Sequence, residues 1–145
     1  CDVEADVPWF RTICTSSNWK FSHQVGNNIG ERMEHAFTDH LTNDNVVILI
    51  GSDIADISFT DVERGLNLLK EGSSAVIGPS SDGGYWAIGL SSMESSIFDN
   101  VPWSTSVVLE CTLKKMRKIG MNTKLLPIRT DIDRIEDLTS MLLTS

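Results

Sequence analysis

The stretch Val46-Val47-Ile48-Leu49-Ile50-Gly51-Ser52-Asp53 constrains this chain more than any other. Its apolar residues are mostly β-branched and run without a polar break. A strand with one wet face would alternate polar and apolar residues, so this one is expected to be covered on both faces, in the middle of an α/β sheet. It runs into a small residue, a hydroxyl and a carboxylate. In open α/β sheets ligands bind outside the carboxyl ends of the strands, which makes Asp53 the first candidate for a site. Gly51-Ser52-Asp53 is equally good turn chemistry leading into a helix.

The flanking segments alternate in period. Residues 1–27 give no firm pattern beyond a short strand at Trp19-Lys20-Phe21 and a turn from Gln24 to Asn28. From Ile29 onward Met33, Ala36, Phe37 and Leu41 share one helical face. After Asp53, Ser58 and Asp61 have the spacing of a capping box, with Phe59, Val62, Leu66 and Leu69 as the apolar stripe and Gly72 as the stop. A strand is expected from Ser74 to Gly78 and another from Tyr85 to Leu90. Between them, Asp82-Gly83 is favoured as a hairpin turn, because Asp-Gly takes positive φ readily. Trp103-Ser104-Thr105 is expected to open a long helix burying Val108, Leu109, Thr112, Leu113, Met116 and Ile119. Lys114, Lys115, Arg117 and Lys118 sit in its last turns, where cations suit the helix dipole, and are best explained as a solvated face. A strand over residues 122–128 and a final helix capped by Asp133, with Glu136 reaching back, complete an α/β pattern.

At 145 residues the chain fits one domain, residues 1–145. Twelve basic against twenty acidic residues give a net charge of −8. That argues against nucleic acid or an anionic membrane as partner, since both are bound by Lys and Arg neutralising phosphate. A phosphorylated small molecule would need a divalent cation beside it. Cys1, Cys14 and Cys111 form neither a Cys-x-x-Cys pair nor a dense framework, so a reduced, cytoplasmic setting is expected. No apolar run has the length of a membrane span. The chain begins at Cys1 and not at methionine, so an upstream segment is expected.

Several short strings occur in one order: Gln24, Gly30-Glu31-Arg32-Met33, Ile50-Gly51-Ser52-Asp53, Gly78-Pro79-Ser80-Ser81-Asp82-Gly83-Gly84-Tyr85, Ile88-Gly89-Leu90, Trp103-Ser104-Thr105, Asp131-Ile132-Asp133 and Glu136-Asp137-Leu138. Together they resemble the bacterial GT-A-like proteins known as radical-SAM/selenodomain-associated transferases, relatives of the 2-phospholactate guanylyltransferases. The resemblance implies a nucleotide-diphospho-sugar transferase (GT-A-like) fold, a three-layer α/β/α sandwich around a mixed, mostly parallel sheet. It implies that Asp53 holds Mg²⁺ or Mn²⁺ against the phosphates of a nucleotide or nucleotide-sugar, that Asp133 is a second metal-proximal carboxylate, and that Asp82 supports the chemistry. Ser52, Gly83, Gly84, Tyr85 and Trp103 would contact substrate. For Asp133 the cap and the metal role stay open together, and for Tyr85 and Trp86 core packing competes with stacking on a base or sugar. Hard oxygen ligands suit Mg²⁺, which takes one or two carboxylates plus phosphate oxygens and water.

The family opens with a strand and a basic, glycine-containing phosphate loop, and residues 1–23 do not match it. An N-terminally truncated chain is therefore expected, with homo-oligomerisation as one way to cover an open strand edge. Two functions follow: a metal-dependent glycosyl- or nucleotidyltransferase, or a catalytically inactive GT-A-like remnant serving as an interaction or oligomerisation module. A hydrolase using Cys14 or Cys111 with His23, His35 or His40 has no supporting motif.

Overall fold

A computed structural model describes residues 22–51 and 57–130. Within them α1 (Ile29–His40), β1 (Val47–Ile50), α2 (Phe59–Lys70), β2 (Ala75–Pro79), β3 (Tyr85–Leu90), a 3₁₀ turn (Ser95–Ile97), α3 (Val108–Lys118) and β4 (Thr123–Leu125) follow in order. The strand at Trp19, the residues Ser52, Asp53 and Asp133, and the final helix lie outside the described residues.

The four strands form one mixed open sheet in the order β1-β3-β2-β4. β3 runs antiparallel to both of its neighbours, β1 and β2, while β2 and β4 are parallel. Strands β1, β2 and β4 thus point one way, yet most of the ladder is antiparallel. Among the described residues β1 stands at one end of the sheet, its side chains are half-buried and Ile50 is 43% exposed. The buried centre is the β2–β3 pair instead: every residue of β2 is buried, and in β3 all but Tyr85. An unbroken apolar run records that both faces meet apolar groups; it does not record position in the sheet.

One face of the sheet carries Ala75, Ile77, Ile88 and Leu90, closed by Phe37 of α1, Met116 of α3, Ile97 and Phe98. Phe37 and Phe98 stack with ring centroids 6.0 Å apart. On the other face Trp86, Ala87 and Leu126 pack with Ile48 and Leu68. A register shift between Gly78 and Pro79 leaves Trp86 without a partner across the ladder, since Gly78 pairs with Ala87 and Pro79 with Tyr85. A bulge of this kind puts two successive side chains on one face. Trp86 and Ala87 accordingly share a face, and Tyr85 is turned to the opposite one. The Trp86 indole donates to the Pro127 carbonyl at 3.1 Å, so its polar end is satisfied in the core.

Local chemistry fixes the helix starts. Asn28 caps α1 by accepting from the Glu31 amide at 3.0 Å, and the Glu31 carboxylate accepts from the Asn27 amide at 2.7 Å, a reciprocal cap. Ser58 caps α2 as expected, its hydroxyl accepting from the Asp61 amide at 3.2 Å. The buried face of α2 is Asp61, Gly65 and Leu69, and Phe59 is 81% exposed. Phe59 precedes Asp61 by two residues, about 200° around a helix, so it cannot share that stripe. Helix α3 begins at Val108, not at Trp103, and Ile119 is exposed beyond its end. Ser104 has φ 63°, a left-handed conformation that cannot continue a helix.

Asp61 uses its carboxylate on Arg129, which reaches it from the segment after β4. Burial pushes the Asp61 carboxyl up, but the bonds from Arg129 and Ser58 outweigh it and hold the group below its ordinary value of 3.8. A carboxylate lowered by folding stabilises the fold above its ordinary value and loses that contribution as pH falls through the folded value. Asp61→Asn, which leaves Arg129 facing a neutral amide, is therefore expected to lower stability at pH 7 by on the order of 2 kcal/mol. The difference from the parent should shrink below pH 3.8 in urea unfolding followed by circular dichroism; a pH-independent difference would show that the charge is not what matters.

Candidate functional site

The β2–β3 connection, residues 80–84, is the hairpin that Asp82-Gly83 suggested. The Ser80 amide donates to the Gly84 carbonyl at 3.1 Å, and the Gly83 amide to the Ser80 carbonyl at 3.3 Å. Asp82 folds back over its own turn: Oδ1 accepts from the Ser80 hydroxyl at 2.7 Å and from the Gly84 amide at 2.9 Å. A carboxylate held by two bonds points one way, which is what a binding group needs.

Gly83 has φ 90°, and a Cβ there would lie 2.0 Å from the Ser106 carbonyl oxygen. Only glycine suits both the left-handed backbone and this approach. Its own carbonyl accepts from the Leu109 amide at 2.9 Å, supplying a partner to the first turn of α3, whose N-cap Val107 offers no side-chain bond. The turn is thereby docked on α3 and on the segment leading into it. From the other side Arg129 holds the base of the turn, its amide donating to Pro79 at 2.9 Å and its carbonyl accepting from Ser81 at 3.0 Å.

These elements surround a cleft of about 650 Å³, the size of a small-molecule site. Ser80, Asp82, Gly84 and Tyr85 form one wall, Trp103 to Ser106 another, α1 a third, and Leu49 to Gly51 line it at the carboxyl end of β1. Of the residues expected from the sequence, Asp82, Gly84, Tyr85 and Trp103 meet at this cleft, while Gly83 lies behind the turn against Ser106. Tyr85 is half-buried: its ring joins the core, and its hydroxyl is enclosed near Thr112 without a well-formed hydrogen bond. Burial pushes the phenol far up, so it stays neutral, with the Thr112 hydroxyl pulling the other way. Trp86 is a core residue.

The α1 wall carries Arg32, His35, Asp39 and His40, and with His23 all three histidines of the chain line the cleft. Strand-end reasoning does not find this wall. Its signal is the polar row Arg32, His35, Asp39 at three- and four-residue spacing, one stripe of a helix. Arg32 is braced by the Gly26 carbonyl at 3.3 Å and the Gln24 side chain at 3.5 Å. Cys111, on α3, is not among the cleft-lining residues. Among the described residues no group of three His, Cys, Asp or Glu is placed to hold a metal ion, and no helix is long and apolar enough to cross a membrane.

The described sheet is a mixed α/β sheet whose strand ends open on this cleft. Residues 3–105 match the bacterial family described as "uncharacterized protein conserved in bacteria" (DUF2064), and the chain belongs to that family. It is also similar to the crystal structure of a "putative nucleotide-diphospho-sugar transferase" from Desulfovibrio desulfuricans G20, with 34% identity and a TM-score of 0.86 over 98% of this chain. The chain spans 62% of that protein's length. No curated protein matches it. The fold is thus α/β with a mixed open sheet, related to GT-A-like transferases.

Replacing Gly83 by alanine tests how firmly the turn is docked. The methyl would meet the Ser106 carbonyl on a backbone already at positive φ, so a loss on the order of 3 kcal/mol is expected. Thermal unfolding checks it; a melting temperature unchanged from the parent would mean that the turn is not held against Ser106.

Proposed function

We propose that the chain is a transferase that binds a nucleotide or nucleotide-sugar in this cleft and moves a glycosyl or nucleotidyl group. The observation that carries the proposal is the meeting, at the carboxyl end of β1, of the oriented Asp82 turn and an open cleft of about 650 Å³, in a chain 34% identical to a protein bearing the transferase description. On this assignment residues 1–145 are one domain with the sheet as the middle layer of an α/β/α sandwich. Asp53, which follows the cleft-lining Gly51 by two residues, is the principal ligand of Mg²⁺ or Mn²⁺, and Asp133 is the second. The ion supplies charge neutralisation: it offsets repulsion between diphosphate and a chain of net charge −8, and stabilises charge on the leaving phosphate. Asp82 positions substrate through an orientation set by Ser80 and Gly84.

Calorimetric titration of UDP, GDP and their sugar conjugates, with and without Mg²⁺ or Mn²⁺, tests this. Binding that requires metal and falls by at least about tenfold in Asp53→Asn is expected, as is weaker binding in Asp82→Asn. A folded chain that binds none of them would favour a remnant acting as an interaction module.

A further inference from the structure

Trp103 opens the turn segment that leads into α3, half-buried and lining the cleft. Its indole packs against the first turn of α1 at Gly30, by the edge that carries Nε1 and Cζ2. A Cβ built on Gly30 would sit 2.5 Å from Cε2, Cζ2 and Nε1 alike, so this glycine is what lets the ring approach so closely. The ring is therefore held in place by backbone, with little rotamer freedom left to lose on binding. Hydroxyls follow directly. Ser104 is exposed on a strained, left-handed backbone, Thr105 donates to the Pro102 carbonyl at 2.6 Å, and Ser106 is pinned against Gly83, next to Asp82.

From this juxtaposition we infer that the Trp103 end of the cleft is a sugar subsite, which rests on the transferase proposal above and narrows it to glycosyl transfer. A pyranose has a C–H face suited to an aromatic ring and a rim of hydroxyls. Each of those hydroxyls both donates and accepts, as the serine hydroxyls do, and an ionised carboxylate such as Asp82 accepts from them. A nucleobase would also stack on the ring, but its edge needs donors and acceptors in a fixed alternation, which an exposed serine hydroxyl beside an accept-only carboxylate does not impose. Strain at Ser104 fits such a role, since off-region backbone persists where function holds it.

The test compares, in Mg²⁺, UDP and GDP with UDP-glucose and GDP-mannose by calorimetry on the parent, Trp103→Ala and Ser104→Gly. Trp103→Ala is expected to weaken the conjugates by about tenfold, the scale of one aromatic stack, and the sugar-free diphosphates by less than about twofold. Ser104→Gly relieves the positive φ, so it should raise the melting temperature while weakening the conjugates by about threefold. A merely structural serine would not show that combination, and the second variant remains informative if Trp103→Ala does not fold. Equal weakening of diphosphates and conjugates would make Trp103 a base platform and overturn the sugar subsite while leaving nucleotide binding intact. Unchanged conjugate binding in both variants would overturn it as well. If the parent binds neither class, the transferase proposal fails and the subsite with it.

Discussion

The structure depends on the contact between Gly83 and the start of α3. Here the tip of the central hairpin meets Ser106, and the Gly83 carbonyl fills the vacancy at a helix N-terminus that has no side-chain cap. The contact joins the two most buried strands to the one helix whose entry segment carries Trp103. It also leaves Asp82 little choice of direction, since the turn beneath it is braced by Arg129 on its other side. A cleft wall made of a hairpin turn would ordinarily be mobile; this one is clamped between a helix start and a parallel bridge from Ser80 to Arg129.

The bulge at Trp86 does related work within the sheet. One extra residue in β3 sends the indole to the α2 face, where Pro127 receives its N–H, and turns Tyr85 toward α3 and the cleft. Without that step Tyr85 would lie on the face of Ala87. The Tyr85 wall of the cleft is thus a product of strand register as much as of residue choice.

Much of this was legible in the chain. The face of α1 centred on Phe37, the Ser58 cap, the stop at Gly72 and the Asp82-Gly83 hairpin each rest on interactions within a few residues, and local chemistry decides them. Long-range partners were not. Asp61 has the spacing of a capping-box acid, but a guanidinium 68 residues away claims its carboxylate, and no local rule anticipates that. The string Trp103-Ser104-Thr105 reads as a helix start, but Ser104 has a left-handed backbone and α3 begins only at Val108. Apolarity alone groups Phe59 with the core, while the buried stripe includes Asp61 and Gly65, which apolarity does not select. For the site, the resemblance points to Asp82, Gly84, Tyr85 and Trp103, which line one cleft; the α1 wall of Arg32, His35 and Asp39 is not legible that way, because nothing in strand-end logic points to a helix.

On the proposed function, one cleft walled by the Asp82 turn and the Trp103 segment receives a metal-bound nucleotide. Amide chemical shifts of the ¹⁵N-labelled chain, followed during titration with Mg·UDP and Mg·GDP, put this to the test. Shifts concentrated at Ser80, Asp82 and Gly84, at Trp103 to Ser106, and at Ile50 and Gly51 are expected. Shifts centred instead on the basic face of α3, around Lys114 and Lys118, would contradict it, as would their absence in a folded chain.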